Sequence, residues 1–272
     1  MPERSDHGFD SKRMRPRDDP PPARQRSSTL ALPSNGGWIL DLKIEKCIGK
    51  GRTASVYSVQ PLSYRLLSAN TPLAAIPAIN ALPPLVLKVS KPGFDTVSEV
   101  VHEKRVYNEL EILQGSVIPR CYGLFNGAVS RDRCLLDWDQ DDLGGDSAEV
   151  TFSVLLMEEL GMPRELEDFR NTFPPETWSE WKDLLNDLSR LHVRYQDMRR
   201  HNFLYAAPSP PGLPSMMCPF HQRVHEMRII DFGFCTKKTW HWENERDKLH
   251  LMDLKELRAR LQEGDDDPMI VV

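Results

Sequence analysis

The sequence predicts an α+β protein, with strand-forming segments concentrated in its first half and helix-forming ones in its second. Ile39, Leu40, Leu42, Ile44 and Ile48 lead with strand-like alternation into Gly49 and Gly51, and Val56-Tyr57-Ser58-Val59 leads out, which is a strand-turn-strand pattern. Behind Pro174-Pro175, a pair suited to a helix start, Trp178, Trp181, Leu184, Leu185, Leu188 and Leu191 recur at helical spacing. After these, Asp197, Asn202 and Asp231-Phe232-Gly233 place polar side chains at a loop and at the end of an apolar strand, Arg228-Ile229-Ile230.

Residues 1 to about 36 hold Arg, Pro, Asp and Ser with hardly an apolar residue, too little to offset the entropy of ordering, and read as a disordered tail. Within it, Lys12-Arg13-Met14-Arg15-Pro16-Arg17 reads as a solvated basic stretch in preference to a nuclear address, because Asp18 and Asp19 dilute it. The turn Ile48-Gly49-Lys50-Gly51-Arg52-Thr53-Ala54-Ser55-Val56 has two glycines that let backbone approach phosphates closely; by itself it reads as a plain hairpin turn, and the strand-like flanks on both sides are what favour the phosphate-binding reading. Residues 60–84 form a long link whose Pro61, Pro72, Pro77, Pro83 and Pro84 exclude a long regular element, as in a surface insertion.

Leu85-Val86-Leu87-Lys88-Val89 carries a lysine inside an apolar strand, which costs desolvation unless an anion meets the ammonium. Glu103 shares helical spacing with Tyr107 and Leu110, so its carboxylate lies on the inward stripe of a helix and is the expected partner of Lys88, ahead of Glu99 and Glu109. The acidic run Asp137-Trp138-Asp139-Gln140-Asp141-Asp142 reads as a solvated hairpin connection in preference to a calcium loop. Thr151-Phe152-Ser153-Val154-Leu155-Leu156-Met157 is a buried strand that breaks into a connector at Glu158-Glu159-Leu160-Gly161-Met162-Pro163. In Tyr195-Gln196-Asp197-Met198-Arg199-Arg200-His201-Asn202, one loop offers an acceptor for a hydroxyl proton and an amide oxygen for a metal. Gly233, after Asp231, is expected to take a backbone angle that other residues resist. A proline-rich excursion from Pro208 to Pro219 enlarges a hairpin, and Leu254, Leu257 and Leu261 mark one last amphipathic helix.

At 272 residues and 40% hydrophobic content the chain can bury a sizeable core, and its net charge of -5 gives no reason to expect nucleic-acid or membrane binding. The absence of a long apolar run and of a secretory signal core at Met1-Pro2-Glu3-Arg4-Ser5-Asp6 points to an intracellular protein, cytoplasmic or nuclear. Cys47, Cys121, Cys134, Cys218 and Cys235 are scattered without a C-x-x-C pair, which suits a reducing compartment. Cys218, His221 and His225 imitate metal-ligand spacing, but no fourth ligand stands nearby and the surroundings are proline-rich, so a loop without zinc is the favoured reading.

Taken together, the glycine turn, Lys88, Glu103, the Asp197 to Asn202 loop and Asp231-Phe232-Gly233 resemble the elements of the protein kinase superfamily, over about residues 38–261. Trp240-His241-Trp242-Glu243-Asn244-Glu245 and Pro119-Arg120-Cys121-Tyr122-Gly123 look most like the divergent kinase-like proteins abundant in fungi. The resemblance implies a bilobal protein-kinase-like domain over 37–263, with an antiparallel-sheet N-lobe to about 158, a short, mainly helical C-lobe from about 162, and a C-terminal tail over 264–272. It implies ATP and Mg²⁺ as cofactors, Asp197 as base, Asn202 and Asp231 as metal ligands, and Arg199 as the cation beside the transferred phosphate. Lys88, held by Glu103, would meet the α/β-phosphates; Ile48, Gly49, Gly51, Ala54 and Val56 would cover the nucleotide, with Ala54 standing where the family has a third glycine. Met157 would be the gatekeeper, and the Glu158 carbonyl and Leu160 amide would face adenine.

Two departures matter. Tyr195-Gln196 replaces the usual His-Arg, so control by an activation-loop phosphate is not expected, since glutamine cannot pair with one as a cation. Few residues follow Gly233, and no Ala-Pro-Glu anchor stands among them. Three functions follow: a kinase acting on protein Ser or Thr, a pseudokinase scaffold that binds nucleotide or partners, or a small-molecule kinase of aminoglycoside or choline type.

Overall fold

Alternating apolar residues and a glycine turn build the first hairpin, β1 (Trp38–Lys50) and β2 (Ala54–Leu66). The computed structural model describes residues 38–66, 82–92, 94–130, 138, 149–165, 167–170, 173–207, 216–237 and 243–264; the expected N-terminal and C-terminal tails lie outside them. β3 (Leu85–Ser90), β4 (Cys121–Ser130) and β5 (Glu149–Glu158) complete a five-stranded antiparallel sheet in the order β1-β2-β3-β5-β4. Helix α1 (Phe94–Glu109) follows β3 and lays Val100, Glu103, Val106 and Tyr107 inward at three- and four-residue spacing. One 3₁₀ turn at Glu111–Leu113 then turns the chain into β4.

The expected insertion over 60–84 starts later than the prolines suggest, because β2 runs through Pro61 to Leu66. β3 reaches only as far as Leu85 opposite Val59, so β2 beyond that point pairs with β1 alone. Pro61 also sits at a register shift between Asp41 and Leu42, where the ladder is already interrupted and a missing N–H costs little. Residues 67–81 lie outside the described residues. The acidic connection is not wholly solvated either: Trp138 is buried, edge-on to Phe152 at 5.7 Å, while its neighbours at 137 and 139–145 lie outside the described residues.

The second half is built around α3 (Pro175–Arg190), preceded by the one-turn α2 (Glu167–Arg170). Pro174 caps α3 with an extended backbone, and Glu176 in the first turn and Arg190 in the last complement the helix dipole. Its apolar stripe of Trp181, Leu184, Leu185 and Leu188 is fully buried. Two short antiparallel pairs follow: β6 (Val193–Arg194) with β9 (Thr236–Lys237), and β7 (Phe203–Tyr205) with β8 (Met227–Ile229). Trp181 stacks on Phe203 at 4.3 Å and donates its indole N–H to Met227 Sδ at 3.3 Å, so one side chain of α3 grips both strands of the β7–β8 hairpin. Helix α4 (Glu243–Glu263) packs on α2 and α3 and buries Leu254, Leu257 and Leu261.

No disulfide forms among Cys47, Cys121, Cys218 and Cys235; Cys134 lies outside the described residues. Among the described residues no helix is long and apolar enough to cross a membrane. Since Trp181 joins α3 to both hairpin strands, Trp181→Ala is expected to cost about 3–5 kcal/mol of stability, measured as a lower midpoint in urea unfolding; an unchanged midpoint would contradict its role as the pin.

Candidate functional site

Strand register sets the face on which the site is built. Gly49 stands opposite Val56, Val56 opposite Lys88, and Lys88 opposite Leu155, so one row of cross-strand neighbours spans four strands. The next row on that face holds Ser58, Val86, Met157 and Cys121. Val56, Val86 and Met157 therefore form an apolar surface beside the Lys88 ammonium. At the turn, the Gly51 N–H donates to Ala54 O at 2.8 Å, and a Cβ on Gly51 would meet that oxygen at 3.2 Å. Ala54 itself is buried in the core, where a third glycine would leave a gap. Ile48 is exposed on β1.

Lys88 Nζ lies 2.7 Å from Glu103 Oε2 and 3.0 Å from Asp231 Oδ1, joining β3, α1 and the segment after β8. Burial would lower the lysine's pKa, but Asp231 and Glu103 outweigh it and hold the ammonium above its ordinary value. Attraction to Lys88 holds Asp231 below the usual carboxylate range. Burial pushes the Glu103 carboxyl up, and Lys88 counters that push. The second Glu103 oxygen accepts the Phe232 N–H at 3.4 Å. Phe232 is enclosed edge-on by Tyr107 of α1 at 5.3 Å and by Tyr195 at 5.7 Å, so an aromatic column runs from the helix through the triplet into the Asp197 loop.

The left-handed backbone belongs to Asp231, at φ 62°, and not to Gly233 as the sequence suggests. Such a conformation costs a non-glycine residue about 1–3 kcal/mol. Its surroundings hold it there: the next N–H is tied to Glu103, the preceding Ile230 N–H donates to Asn202 O at 3.0 Å, and the Ile230 carbonyl accepts the Tyr195 hydroxyl at 2.8 Å.

Those same bonds tie Asp231 to the loop that carries Asp197. Asn202 Nδ2 donates to the Asp197 carbonyl at 2.9 Å and to Asp197 Oδ2 at 2.8 Å, and Arg199 Nε donates to Asp197 Oδ1 at 2.7 Å. The loop is braced from α4: His250 Nε2 accepts the Tyr195 N–H at 3.0 Å, Arg194 pairs with Asp253, and Arg260 donates to the Met198 carbonyl at 3.2 Å. A backbone N–H must donate, so the His250 proton sits on Nδ1, 2.7 Å from Ser189 Oγ of α3.

The connector after β5 is pinned at both ends. Glu158 is buried with its carboxylate 3.0 Å from Arg120 and 2.6 Å from Arg228, and its N–H donates to Arg120 O at 2.9 Å. Glu159 N–H donates to Pro84 O at 2.8 Å. Beyond the half-buried Leu160, Gly161 N–H donates to Tyr205 O at 2.8 Å, and a Cβ there would meet Tyr205 at 3.3 Å. The connector thus lies along β7, the strand that follows Asn202.

Lys88, Glu103 and Asp231 come together in one cluster and Asp197, Arg199 and Asn202 in a second, and the Ile230 to Asn202 bond joins the two. Asn202 donates its amide nitrogen to Asp197, which leaves Oδ1 as an acceptor, and the Asp231 side chain is 39% exposed; both supply oxygens of the kind a hard cation such as Mg²⁺ takes. Lys88 provides the cation for an anionic ligand. Sequence reasoning missed His250, Asp253 and Arg260, whose polar side chains on a terminal helix look like a solvated face. It also missed Asp187, which joins Cys218, His221 and His225 in one cluster and is a fourth group of ligand type absent from their neighbourhood in sequence.

The Asp231 pairing sets an expected pH response. Its carboxyl titrates lower in the folded chain than the usual value of about 3.9, so its stabilising contribution is complete above that value and is lost as pH falls through the lower, folded one. Asp231→Asn should therefore show a shallower loss of stability below about pH 4, read from urea midpoints along a pH series; an identical acid limb would rule the pairing out. No protein-family model and no curated protein matches this chain.

Proposed function

We propose that this chain is an ATP-dependent phosphotransferase with a bilobal protein-kinase-like fold, acting on a serine or threonine hydroxyl of a protein. The observation that carries the reading is the Lys88 ammonium held at 2.7 Å by a helix carboxylate and at 3.0 Å by Asp231, with Asp197 and Asn202 bonded to each other at 2.8 Å in the adjoining loop. A triphosphate needs a fixed cation, oxygen ligands for its metal, and a carboxylate near the attacking hydroxyl. Five side chains of the required types supply these.

In this reading the nucleotide base lies on the apolar surface of Val56, Val86 and Met157, and Lys88 meets the α/β-phosphate oxygens while Glu103 keeps it aimed. Asn202 and Asp231 would hold Mg²⁺, which would supply positive charge to offset that of the phosphate oxygens. Asp197 accepts the proton of the acceptor hydroxyl; each of its oxygens keeps a lone pair beyond the bonds to Arg199 and Asn202. Arg199 places positive charge beside the moving phosphoryl group.

A scaffold that binds nucleotide without turnover is the second reading. It is favoured by the 2.7 Å pairing of Arg199 with Asp197, which engages one oxygen of the proposed base, and by Gln196 in place of a cation.

The test measures binding and turnover together, with γ-labelled ATP, Mg²⁺ and both peptide and small-alcohol acceptors. Label is expected on Ser or Thr. Asp197→Asn should slow transfer by about 10²–10⁴-fold with nucleotide affinity retained. Lys88→Met should weaken ATP binding by about 10–100-fold, with near-UV circular dichroism reporting the fold, since the change strands Glu103 and Asp231. Binding without transfer establishes the scaffold, faster transfer to a small alcohol establishes a metabolite kinase, and absence of ATP binding overturns all three.

A further inference from the structure

Away from this site, between α3 and the segment that leads into β8, four side chains of metal-ligand type converge. Asp187 projects from α3, and Cys218, His221 and His225 come from residues 216–226. One atom of each lies within 4.8 Å of all the others. Asp187 and Cys218 are wholly buried, His225 is 1% exposed, and His221 closes the rim.

The spacings lie close to those around a tetrahedral ion. Bonds of about 2.0–2.3 Å place tetrahedral ligand atoms roughly 3.3–3.7 Å apart. Asp187 Oδ2 lies 3.0 Å from Cys218 Sγ, 3.1 Å from His221 Nδ1 and 3.5 Å from His225 Nε2, and Cys218 Sγ lies 3.6 Å from His221 Nδ1. A small contraction or expansion about a central ion satisfies all four.

Outer contacts also orient the ligands. His225 Nδ1 faces Glu180 Oε1 at 3.1 Å, which directs its other ring nitrogen inward; that Nε2 is buried and finds no hydrogen-bond partner among the described residues. This is the carboxylate-histidine arrangement that fixes the tautomer of a metal-bound imidazole. His221 Nε2 points toward Asp183 Oδ1 at 3.8 Å, and Phe220 N–H donates to Cys218 Sγ at 3.4 Å. Glu180 is itself anchored by the Glu226 N–H at 2.9 Å and by Arg223 at 2.6 Å.

The geometry points to a structural Zn²⁺ site formed by Asp187, Cys218, His221 and His225. A thiolate, a carboxylate and two neutral imidazoles carry two negative charges, which cancel those of the dication in a buried setting. On binding, the Cys218 thiol proton, directed at Asp187, is released to solvent. All four positions are filled by protein, so the ion is a staple: it ties the segment entering β8 to α3 and thereby fixes the strand that leads to Asp231. The site does not depend on the phosphotransferase reading.

The test uses the full chain, stripped with a chelator, exposed to Zn²⁺ or Co²⁺ and dialysed. The expected result is about one zinc per chain, and for cobalt a thiolate-to-metal charge-transfer band with intense tetrahedral visible bands. Cys218→Ser should abolish the charge-transfer band. His221→Ala, at the rim, should lose metal while keeping the fold, and Glu180→Gln, a positioning change, should lower zinc affinity by about 10–100-fold. Cys235→Ser, outside the cluster, should change nothing. A wild-type chain that retains no zinc and shows no cobalt charge-transfer band overturns the proposal, as does a His221→Ala chain that holds zinc as tightly as wild type.

Discussion

A lysine ammonium inside a strand depends on the carboxylates around it, and the candidate site is organised by that requirement. Lys88 meets Glu103 and Asp231, groups carried by a helix and by a segment 143 residues further along the chain. Removing such a charge from water costs several kcal/mol, recovered only when geometry and partners are good. The cluster of one ammonium and two carboxylates carries net negative charge, so a further cation beside Asp231 is electrostatically welcome, while Lys88 offers the complementary sign within the same 3 Å. One arrangement thus presents both signs, the pattern that suits a ligand combining an anion with a metal ion.

Packing turns this electrostatic cluster into a fixed geometry. Phe232, between Tyr107 and Tyr195, couples the position of Asp231 to that of α1 and of the Asp197 loop. Trp181 does the same for the hairpin beneath, and the buried Glu158 carboxylate, shared by Arg120 and Arg228, joins the connector to β8. Aromatic contacts and hydrogen-bonded charges hold the strained backbone of Asp231, which by itself would relax.

Much of this was legible in the residues. Helical spacing alone placed Glu103 on the inward face with Tyr107, and an apolar strand with a lysine in it demanded an anion. The stripe from Trp181 to Leu188 announced α3, and Pro174-Pro175 its start. What was hidden depends on distance along the chain or on tertiary context. Pro61 reads as a strand breaker until β2 is seen to have a single neighbour there. Gly233 looks like the residue for a left-handed backbone, yet the bonds on either side place that conformation at Asp231. His250, Asp253 and Arg260 are interspersed with exposed charges on α4, so no periodicity separates the bracing residues from the solvated ones. Asp187 lies 31 residues before Cys218, on a helix whose apolar stripe dominates its pattern.

The brace from α4 bears on how the chain is made. Tyr195, Arg194 and Met198 find their partners 55, 59 and 62 residues downstream, respectively. During translation the loop therefore emerges from the ribosome well before the helix that braces it exists, and the contacts of Arg194, Tyr195 and Met198 are unmade until that helix docks. A nascent chain stalled ahead of Asp253 would hold the apolar stripe of α3 without the leucines that cover it, a state with more call on chaperones than the finished protein.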